Sequence, residues 1–485
     1  MASRGGARLA AALAALALPA AGFAPRAARP VSAAPLGRAA AARVSLAAGA
    51  WLPVGSTSGL TGLGPQRIEI CGEAFAVWQH EATGEWSVLA DACPHRLAPL
   101  SQGRIDEETG CIECPYHGWQ FDGNGVAKAV PQIEDEKLLA SGKLDARALP
   151  TKTTGDLLWA FFDEALTGEG GGSKHITPDV LYPSLLTAAE KGIEYFVREL
   201  PYSFDFLIEN FMDPAHIPFA HHGLQGVRTD GSPIPSSVLV SNETHVEVNF
   251  KDSIRGKARE GVVSFERPAR YHFRLKNENN TFKEILIIYG VPVKAGRCRV
   301  IFASPVQNNR VPQWLQHAAS NRFLSTDVWL HDAEKVARKG PDAPLDPRDR
   351  YITASSSDVG PSAFRSWWKA NQANAPYNTY GAAKFEDLIP QSRAEMIDPW
   401  VNHASTCAHC RNALNKANIV TRASLAVLAL ALLAPGFSVE ILVAKAVAAT
   451  LAAATTYAAR RAASAIEGEA QPSRVAQRSV AATGK

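Results

Sequence analysis

Alternating apolar and polar positions predict two regions of β-structure in this chain. Between residues 51 and 165, short runs such as 68–78 are rich in Ile, Val, Phe and Trp and are bounded by Gly, which is typical of strands. Between residues 235 and 306, the runs 246–250 and 284–289 alternate in the same way. Because a period of two places one face of a strand against a core, we predict two antiparallel sheets, the second backed by helices.

Two apolar runs near the C-terminus predict a membrane-associated helix pair. They cover residues 419–434 and 437–459, and Pro435-Gly436 between them is a turn signal. Each run is close to the length of about 20 residues that a spanning helix needs, and basic residues flank the pair on both sides, as a hairpin requires. We predict a transmembrane hairpin over 419–461. A helix pair lying on the membrane surface stays open, because charges interrupt the runs at Arg422, Glu440 and Lys445.

Length and charge narrow the class of protein. A chain of 485 residues, with 46% hydrophobic and 20% charged residues, is long enough for two or three globular domains. The net charge is +3, yet the first fifty residues hold six Arg and no acidic residue, so the rest of the chain carries −3. We therefore predict no nucleic-acid partner.

The basic N-terminus, residues 1–48, is predicted to be a targeting segment rather than part of the fold. Arg4 and Arg8 precede an apolar run from Leu9 to Ala21, and an Ala/Arg-rich tract without acidic residues follows. This order resembles the bipartite leaders of plastid proteins. We therefore expect a plastid location, with a secretory signal or a mitochondrial presequence as alternatives.

Two short clusters offer one thiolate and one imidazole each. They read Cys93-Pro-His95 and Cys114-Pro-Tyr-His117. In a Rieske [2Fe–2S] centre two Cys hold one iron and two His hold the other. A mixed Cys/His zinc site uses the same residue types but more often C-x-x-C and H-x-x-x-H pairs. We predict a [2Fe–2S] cluster bound by these four residues, with Cys111 as a buried spare thiol.

The segment 210–222 predicts a mononuclear iron site. Asp213 and His216 are three residues apart, on one face of a helix, and Pro218 should break that helix so that His216 and His221 reach one point. Two His and one carboxylate form the facial triad of non-haem Fe(II) oxygenases. The third ligand is predicted to be Asp327, in the helix-like stretch 323–334, with Asp332 as the runner-up.

The remaining cysteines have weaker signals. Cys407-Ala-His-Cys410 predicts a redox-active dithiol or half of a zinc site. Only His403 and His409 lie nearby in the sequence, so we favour the dithiol. Cys71 and Cys298 lie in strand-like runs and are predicted to be core residues.

Several motifs together carry a resemblance to a known family. The segments 93–104, 114–119, 210–222, 355–368 and 407–410 are similar to those of Rieske non-haem oxygenases of the pheophorbide a oxygenase group. That group includes chlorophyllide a oxygenase and the Rieske proteins of the plastid translocon. The resemblance implies an α+β chain with an N-terminal Rieske antiparallel β domain and a helix-grip (START-like) catalytic domain with an antiparallel sheet and helices. The predicted transmembrane hairpin follows at the C-terminus.

The resemblance also sets the expected domain boundaries. After the targeting segment we expect a Rieske domain at residues 49–166 and a mononuclear iron domain at 174–395. A linker with the C-x-x-C pair at 396–418, the membrane hairpin at 419–461 and a disordered tail at 462–485 would follow.

The resemblance also implies a role for each candidate site residue. Cys93, His95, Cys114 and His117 would hold the cluster, and His216, His221 and Asp327 the mononuclear Fe(II). Asp213, with Asn210 beside it, would be catalytic, linking the Rieske histidine of one subunit to the iron histidine of the next in a head-to-tail homotrimer. Cys407 and Cys410 would be a thioredoxin target.

The expected activity follows from this family. We expect a monooxygenase that uses O₂ and electrons from ferredoxin to oxygenate a chlorophyll-derived tetrapyrrole, such as pheophorbide a or chlorophyllide a, at the inner envelope or thylakoid membrane. The alternative is a membrane-bound Rieske redox component of the plastid import machinery without oxygenase activity.

Overall fold

The structure, a computed structural model, describes residues 50–162, 192–303, 311–339, 346–371, 392–436 and 438–468. The predicted targeting segment 1–48, the boundary between 166 and 174, and most of the predicted tail lie outside the described residues. All described residues belong to one compact unit.

Antiparallel strands account for most of the regular structure before residue 304. In chain order they are β1 Ala50–Ser56, β2 Gln66–Ile70, β3 Glu73–Gln79, β4 Trp86–Ala90, β5 Arg104–Ile105, β6 Ile112–Glu113, β7 Gln120–Phe121, β8 Ala127–Ala129, β9 Thr151–Thr154, β10 Leu157–Phe162, β11 Phe196–Leu200, β12 Ser236–Ser241, β13 His245–Ile254, β14 Lys257–Glu266, β15 Arg270–Lys276, β16 Phe282–Lys294 and β17 Arg297–Ala303.

These strands form four sheets. Three small sheets, with orders β1-β10-β9, β2-β3-β4 and β5-β6-β7-β8, build the N-terminal β domain. The fourth is a seven-stranded antiparallel sheet of order β11-β17-β16-β15-β14-β13-β12. The two predicted β-regions and their antiparallel pairing are thereby confirmed.

Two short helices lie among the strands of the N-terminal domain, and the other helices interrupt or follow the large sheet. They are α1 Thr57–Leu60, α2 Glu136–Leu139, α3 Phe204–Phe211, α4 Ile217–Ala220, α5 Gln313–Leu324, α6 Leu330–Ala337, α7 Val359–Asn371, α8 Arg393–Met396, α9 Pro399–Asn402, α10 Ala408–Leu433 and α11 Val439–Glu467. Short 3₁₀ turns include Pro214–His216, Ser325–Asp327 and Ala404–Thr406.

The first hairpin differs from the strand-like run predicted over 68–78. Cys71 and Gly72 both have left-handed backbone, with φ of 52° and 80°, so they turn the chain between β2 and β3. Two residues with positive φ form the tight turn that fits the twist of a hairpin. Cys71 is buried as predicted, but in the turn and not in a strand.

The large sheet is buried on both faces at β16 and β17. Ile287, Tyr289 and Val291 point into a core shared with β1 and β10 of the N-terminal domain. Ile288, between them, points to the opposite face, where the core contains helices α3 and α7. The N-terminal domain and the large sheet therefore share a core, which explains why the described residues form one unit.

A buried ion network holds α3 against the helices behind the sheet. Asp205 of α3 is fully buried and accepts hydrogen bonds from Arg338 at 2.6 Å and Arg365 at 2.5 Å. Arg338 also donates to Glu334 at 3.0 Å. Buried charges persist only when they are paired, so this network fixes the position of α3, the helix that carries Asn210.

The C-terminal helices begin earlier and end later than the predicted hairpin. Helix α10 starts at Ala408 inside the predicted linker 396–418, and α11 runs to Glu467, beyond the predicted end at 461. The linker is therefore largely helical, and a disordered tail cannot begin at 462. Both helices are long and apolar enough to span a membrane by length and composition, and large apolar side chains such as Leu430 and Leu433 are exposed.

Candidate functional site

Each predicted Rieske cluster residue lies in one of two similar loops of the N-terminal domain. The first loop follows β4, and the second connects β6 to β7. In both, the cysteine N–H closes the loop, because Cys93 donates to the carbonyl of Ala98 at 2.9 Å and Cys114 to that of Trp119 at 2.8 Å. Gly118, with φ of 70°, supplies the left-handed turn after the second histidine.

The four donors pair by chemical type. Cys93 and Cys114 are neighbours and are almost fully buried, while the rings of His95 and His117 lie 4.6 Å apart between centroids. Among the described residues, these four donors are not gathered around one point as single-ion ligands would be. A thiolate pair beside an imidazole pair fits a two-iron cluster and not one zinc ion.

Two further observations support cluster binding in these loops. The buried His95 Nδ1 has no hydrogen-bond partner among the described residues, although buried polar atoms are nearly always paired. Burial raises the pKa of Cys93 to about 11, and the N–H groups of His95 and Arg96 oppose that rise by donating to its sulfur. These donors would stabilise negative charge on a cluster-bound thiolate.

The second motif brings His216 and His221 together through a change of helix type. The 3₁₀ turn Pro214–His216 passes directly into α4, where His221 follows the last residue. Pro218 lies in the first turn of α4 and does not break a helix, so the predicted helix face and its predicted break are both wrong. The two Nε2 atoms still converge, at 3.3 Å.

Asp327 completes the set from a distant part of the chain. It lies in the 3₁₀ turn Ser325–Asp327 between α5 and α6, and its Oδ2 is 3.5 Å from His221 Nε2. The donor atoms of the three residues all lie within 4.8 Å of one another. The runner-up, Asp332, is solvent-exposed on α6.

Fixed hydrogen bonds set the tautomer of both histidines. His216 Nδ1 bonds the carbonyl of Asp213, which can only accept, so this Nδ1 carries the proton. His221 Nδ1 lies 2.7 Å from Thr326 Oγ1, and that hydroxyl donates to the carbonyl of Phe323 at 2.7 Å, so it accepts from the imidazole. Both Nε2 lone pairs therefore face the same point, as metal-ligating histidines require.

Burial keeps the two imidazoles neutral. It lowers the pKa of His221 to about 3, with a further contribution from neighbouring His216, and it lowers the pKa of His216 as well. Burial raises the pKa of Asp327 to about 6, while His216 and the amide of Asn210, 3.4 Å from Oδ2, act in the opposite direction. Two neutral imidazoles and one carboxylate give the site one negative charge and three donor atoms, a ligand set that suits Fe(II).

An apolar cleft opens at this triad. It encloses about 610 Å³ including its mouth and is bounded by the large sheet, α3, α4 and α5. Apart from the two histidines, its lining is mostly aromatic and aliphatic, with Phe211, Tyr271, Phe273, Leu286, Phe302 and Phe323 among the side chains. Apolar walls with a few convergent polar groups are typical of small-molecule sites.

The other predicted site residues lie elsewhere. Asp213 precedes the 3₁₀ turn and accepts from the N–H of Ala215 at 2.7 Å, in a second cleft that also contains Asn210 and Trp329. Cys407 and Cys410 are buried and reduced, and His317 of α5 lies beside both. The sequence reasoning missed His317 and Thr326, because each comes from about ninety residues or more away and no local spacing marks it.

Comparison with known proteins agrees with this geometry. The family described as Rieske [2Fe-2S] domain matches residues 50–145, and the family described as Pheophorbide a oxygenase matches residues 265–342. A chloroplastic pheophorbide a oxygenase of Oryza sativa subsp. japonica is 30% identical over 398 residues, which are 75% of this chain and 73% of the relative. The chain belongs to the pheophorbide a oxygenase family of Rieske oxygenases.

Further relatives of this Rieske oxygenase differ in their named substrates. Flavonoid 8-hydroxylase 2, chloroplastic, of Ocimum basilicum is 29% identical over 408 residues, covering 76% of this chain and 74% of that protein. The crystal structure of dicamba monooxygenase bound to dicamba matches with a TM-score of 0.50 at 17% identity, covering 67% of this chain and 97% of that one. The α+β fold and the two iron cofactors expected from the sequence are thereby confirmed.

Replacing the predicted carboxylate ligand tests the second iron site of this oxygenase. We expect Asp327→Asn to lower bound iron from three to two per chain and to leave the visible Rieske spectrum unchanged, because the amide cannot supply the anionic oxygen. Iron analysis with absorption spectroscopy measures both. Asp332→Asn is the matched control and should keep three irons, so loss of iron in the control instead would refute the choice of Asp327.

A subtler variant tests the bond that orients His221. Thr326→Val removes the acceptor for Nδ1–H with little change in volume, and loss of such a partner typically lowers metal affinity roughly 10- to 100-fold. Iron retention in a chelator titration measures this change. Thr326→Ser keeps the hydroxyl and should behave like the wild type; equal retention in all three proteins would show that the bond is irrelevant to metal binding.

Proposed function

We propose that this Rieske oxygenase is a monooxygenase that uses O₂ and ferredoxin-derived electrons to oxygenate a chlorophyll-derived tetrapyrrole. The observation that carries the proposal is the convergence of His216, His221 and Asp327, two of which, the histidines, line an apolar cleft. A membrane-bound electron carrier of the plastid import machinery, the alternative expected from the sequence, would need neither the triad nor the cleft.

Specific residues would hold the two cofactors. Cys93 and Cys114 would bind one iron of the cluster and His95 and His117 the other, and the triad would bind Fe(II). When bound, the cluster supplies single electrons and the Fe(II) supplies open positions for O₂. One oxygen atom enters the substrate, and the other leaves as water with two electrons and two protons.

The remaining side chains of the site would bind and orient. The aromatic side chains that line the cleft would offer flat apolar surfaces to a planar ring system. The Tyr271 hydroxyl is already engaged, because it donates to the carbonyl of Phe211 at 2.7 Å, so it adds an apolar face and not a free polar group. Asn210 would hold Asp327 through its amide, 3.4 Å from Oδ2.

The aromatic and aliphatic lining of the cleft favours a mainly apolar substrate with aromatic rings. The relatives named for pheophorbide a and chlorophyllide a support a tetrapyrrole. A flavonoid is the second candidate, because the Ocimum basilicum relative is named as a flavonoid 8-hydroxylase and a flavonoid is also planar and aromatic.

Exposed apolar side chains at two places, near the Rieske loops and near Asp213, support electron transfer between subunits of a head-to-tail homotrimer. Leu97 is 73% exposed and Tyr116 58% exposed beside the loops that hold His95 and His117. The cleft at Asp213 is bordered by the exposed Trp329 and Ile352. Exposed apolar patches of this kind mark interaction sites. Burial raises the pKa of Asp213 to about 6, so above that pH the carboxylate is ionised and can accept hydrogen bonds from two imidazole N–H groups.

The cellular setting follows from the relatives and the C-terminal helices. The relatives are named as chloroplastic proteins, which supports the plastid location predicted from the N-terminus. Helices α10 and α11, joined through Pro435-Gly436, would attach the enzyme to a plastid membrane, either the inner envelope or the thylakoid, where apolar tetrapyrroles partition.

The substrate proposal is tested with the purified full-length protein in detergent. We expect turnover with reduced ferredoxin and ¹⁸O₂ to add a single ¹⁸O atom to pheophorbide a, chlorophyllide a or protochlorophyllide a, detected by mass spectrometry. A flavone serves as the competing substrate, and Asp327→Asn as the inactive control. Hydroxylation of the flavone alone would refute the tetrapyrrole, and a protein with two irons and no turnover would favour the carrier.

Mixing two inactive variants tests the trimer. His117→Ala lacks the cluster and His216→Ala lacks the mononuclear site, so neither chain alone turns over. When the two are co-expressed with different tags and isolated together, we expect activity to return, because the cluster of one subunit serves the iron of its neighbour. Complete inactivity of the isolated mixed oligomer, in which the His216→Ala chains keep their Rieske absorbance, would contradict transfer between subunits.

A further inference from the structure

Four buried side chains meet where the apolar helix pair joins the catalytic domain. His317 comes from α5, His403 follows α9, and Cys407 and Cys410 lie at the start of α10. None of them contributes to the iron triad or to the Rieske loops. All four side chains are at most 5% exposed.

Their donor atoms are spaced like the ligands of one tetrahedral ion. His403 Nε2 is 3.2 Å from His317 Nδ1 and 3.3 Å from Cys410 Sγ. His317 Nδ1 is 3.5 Å from Cys410 Sγ and 3.6 Å from Cys407 Sγ. All four atoms lie within 4.8 Å of one another.

These spacings match those expected for zinc. Zn–N bonds of about 2.0–2.1 Å and Zn–S bonds of about 2.3 Å, in a tetrahedron, place nitrogens about 3.3 Å apart and nitrogen and sulfur about 3.6 Å apart. The observed N–N distance of 3.2 Å and N–S distances of 3.3–3.6 Å agree with both values.

Neighbouring groups favour the protonation states that these four donors need to bind a cation. His403 Nδ1 lies 2.6 Å from the carbonyl of Val197, so it carries the proton, and the Nε2 lone pair faces the other three donors. Cys407 precedes the first residue of α10, and the positive end of a helix stabilises thiolates. The two thiolates balance the charge of a divalent cation and the two imidazoles are neutral, so the filled site carries no net charge, which favours burial.

We propose that His317, His403, Cys407 and Cys410 form a structural Zn²⁺ site. Structural zinc sites commonly have two Cys and two His as ligands, which leaves no coordination position open to water. The ion would tie the base of α10 to β11, through Val197, and to α5. Since α5 leads directly into the turn that carries Asp327, the site would also fix the start of that segment.

The redox dithiol predicted from the sequence is the competing account of the same cysteines. Redox-active dithiols need an accessible attacking sulfur, whereas both sulfurs here are buried among side chains that include Leu414, Ile466 and Trp400. The sequence favoured the dithiol because the fourth donor, His317, lies ninety residues before Cys407.

Metal analysis of the purified full-length protein tests the proposal. We expect one zinc per chain in addition to iron, and a zinc K-edge X-ray absorption spectrum that shows two sulfur ligands at about 2.3 Å and two nitrogen ligands at about 2.0–2.1 Å. Zinc binding here does not depend on the substrate or on turnover. Zinc below a tenth of an equivalent, a Cys407–Cys410 disulfide found by mass spectrometry, or iron in the site would each overturn it.

Matched variants assign the ligands. We expect His317→Gln and Cys410→Ser to lower zinc occupancy at least roughly tenfold at a fixed chelator concentration, while Rieske absorbance persists. His409→Ala, between the two cysteines but with its ring 6.0 Å from that of His317, and Cys71→Ala should keep zinc. If His317→Gln or Cys410→Ser misfolds, the X-ray absorption spectrum of the wild-type protein still tests whether zinc has two sulfur and two nitrogen ligands. Full zinc occupancy in both of these variants would refute the assignment.

Discussion

The site depends on two imidazoles whose protons are fixed on Nδ1 by the backbone carbonyl of Asp213 and the hydroxyl of Thr326. These bonds leave two Nε2 lone pairs 3.3 Å apart, an arrangement that is unfavourable without a cation between them. Asp327, brought from the turn between α5 and α6, adds the negative charge. The ion network behind α3 and the shared core at β16 hold the elements that set this geometry.

The local parts of this arrangement were predictable from the sequence. Cys93 with His95, and Cys114 with His117, lie within a few residues, so their spacing alone indicates the cluster. The alternation of β13 and β16 predicts the sheet because period two is a local property. His216 and His221 were likewise found by proximity, although the predicted mechanism, a helix broken by Pro218, was wrong and a 3₁₀ turn passing into α4 replaces it.

The distant parts were harder to predict, or not predictable at all. Asp327 follows His221 by more than one hundred residues, and nothing in its own stretch separates it from Asp332 except burial. His317 and Thr326 are ordinary residues of a helix and a turn until the fold places them. The start of α10 inside the predicted linker 396–418 was not predictable for a related reason, because the polar first turns of this helix lack the apolar pattern of its later turns.

Mössbauer spectroscopy of the ⁵⁷Fe-labelled wild-type protein can show directly whether two separate iron centres share one chain. With the cluster oxidised and the mononuclear site ferrous, we predict that the areas of the cluster signals and of a high-spin Fe(II) signal are in a ratio of 2:1, and that the Fe(II) signal changes when substrate is added. A spectrum with the Rieske signal alone, in a protein that has been offered Fe(II) under anaerobic conditions, would contradict the account.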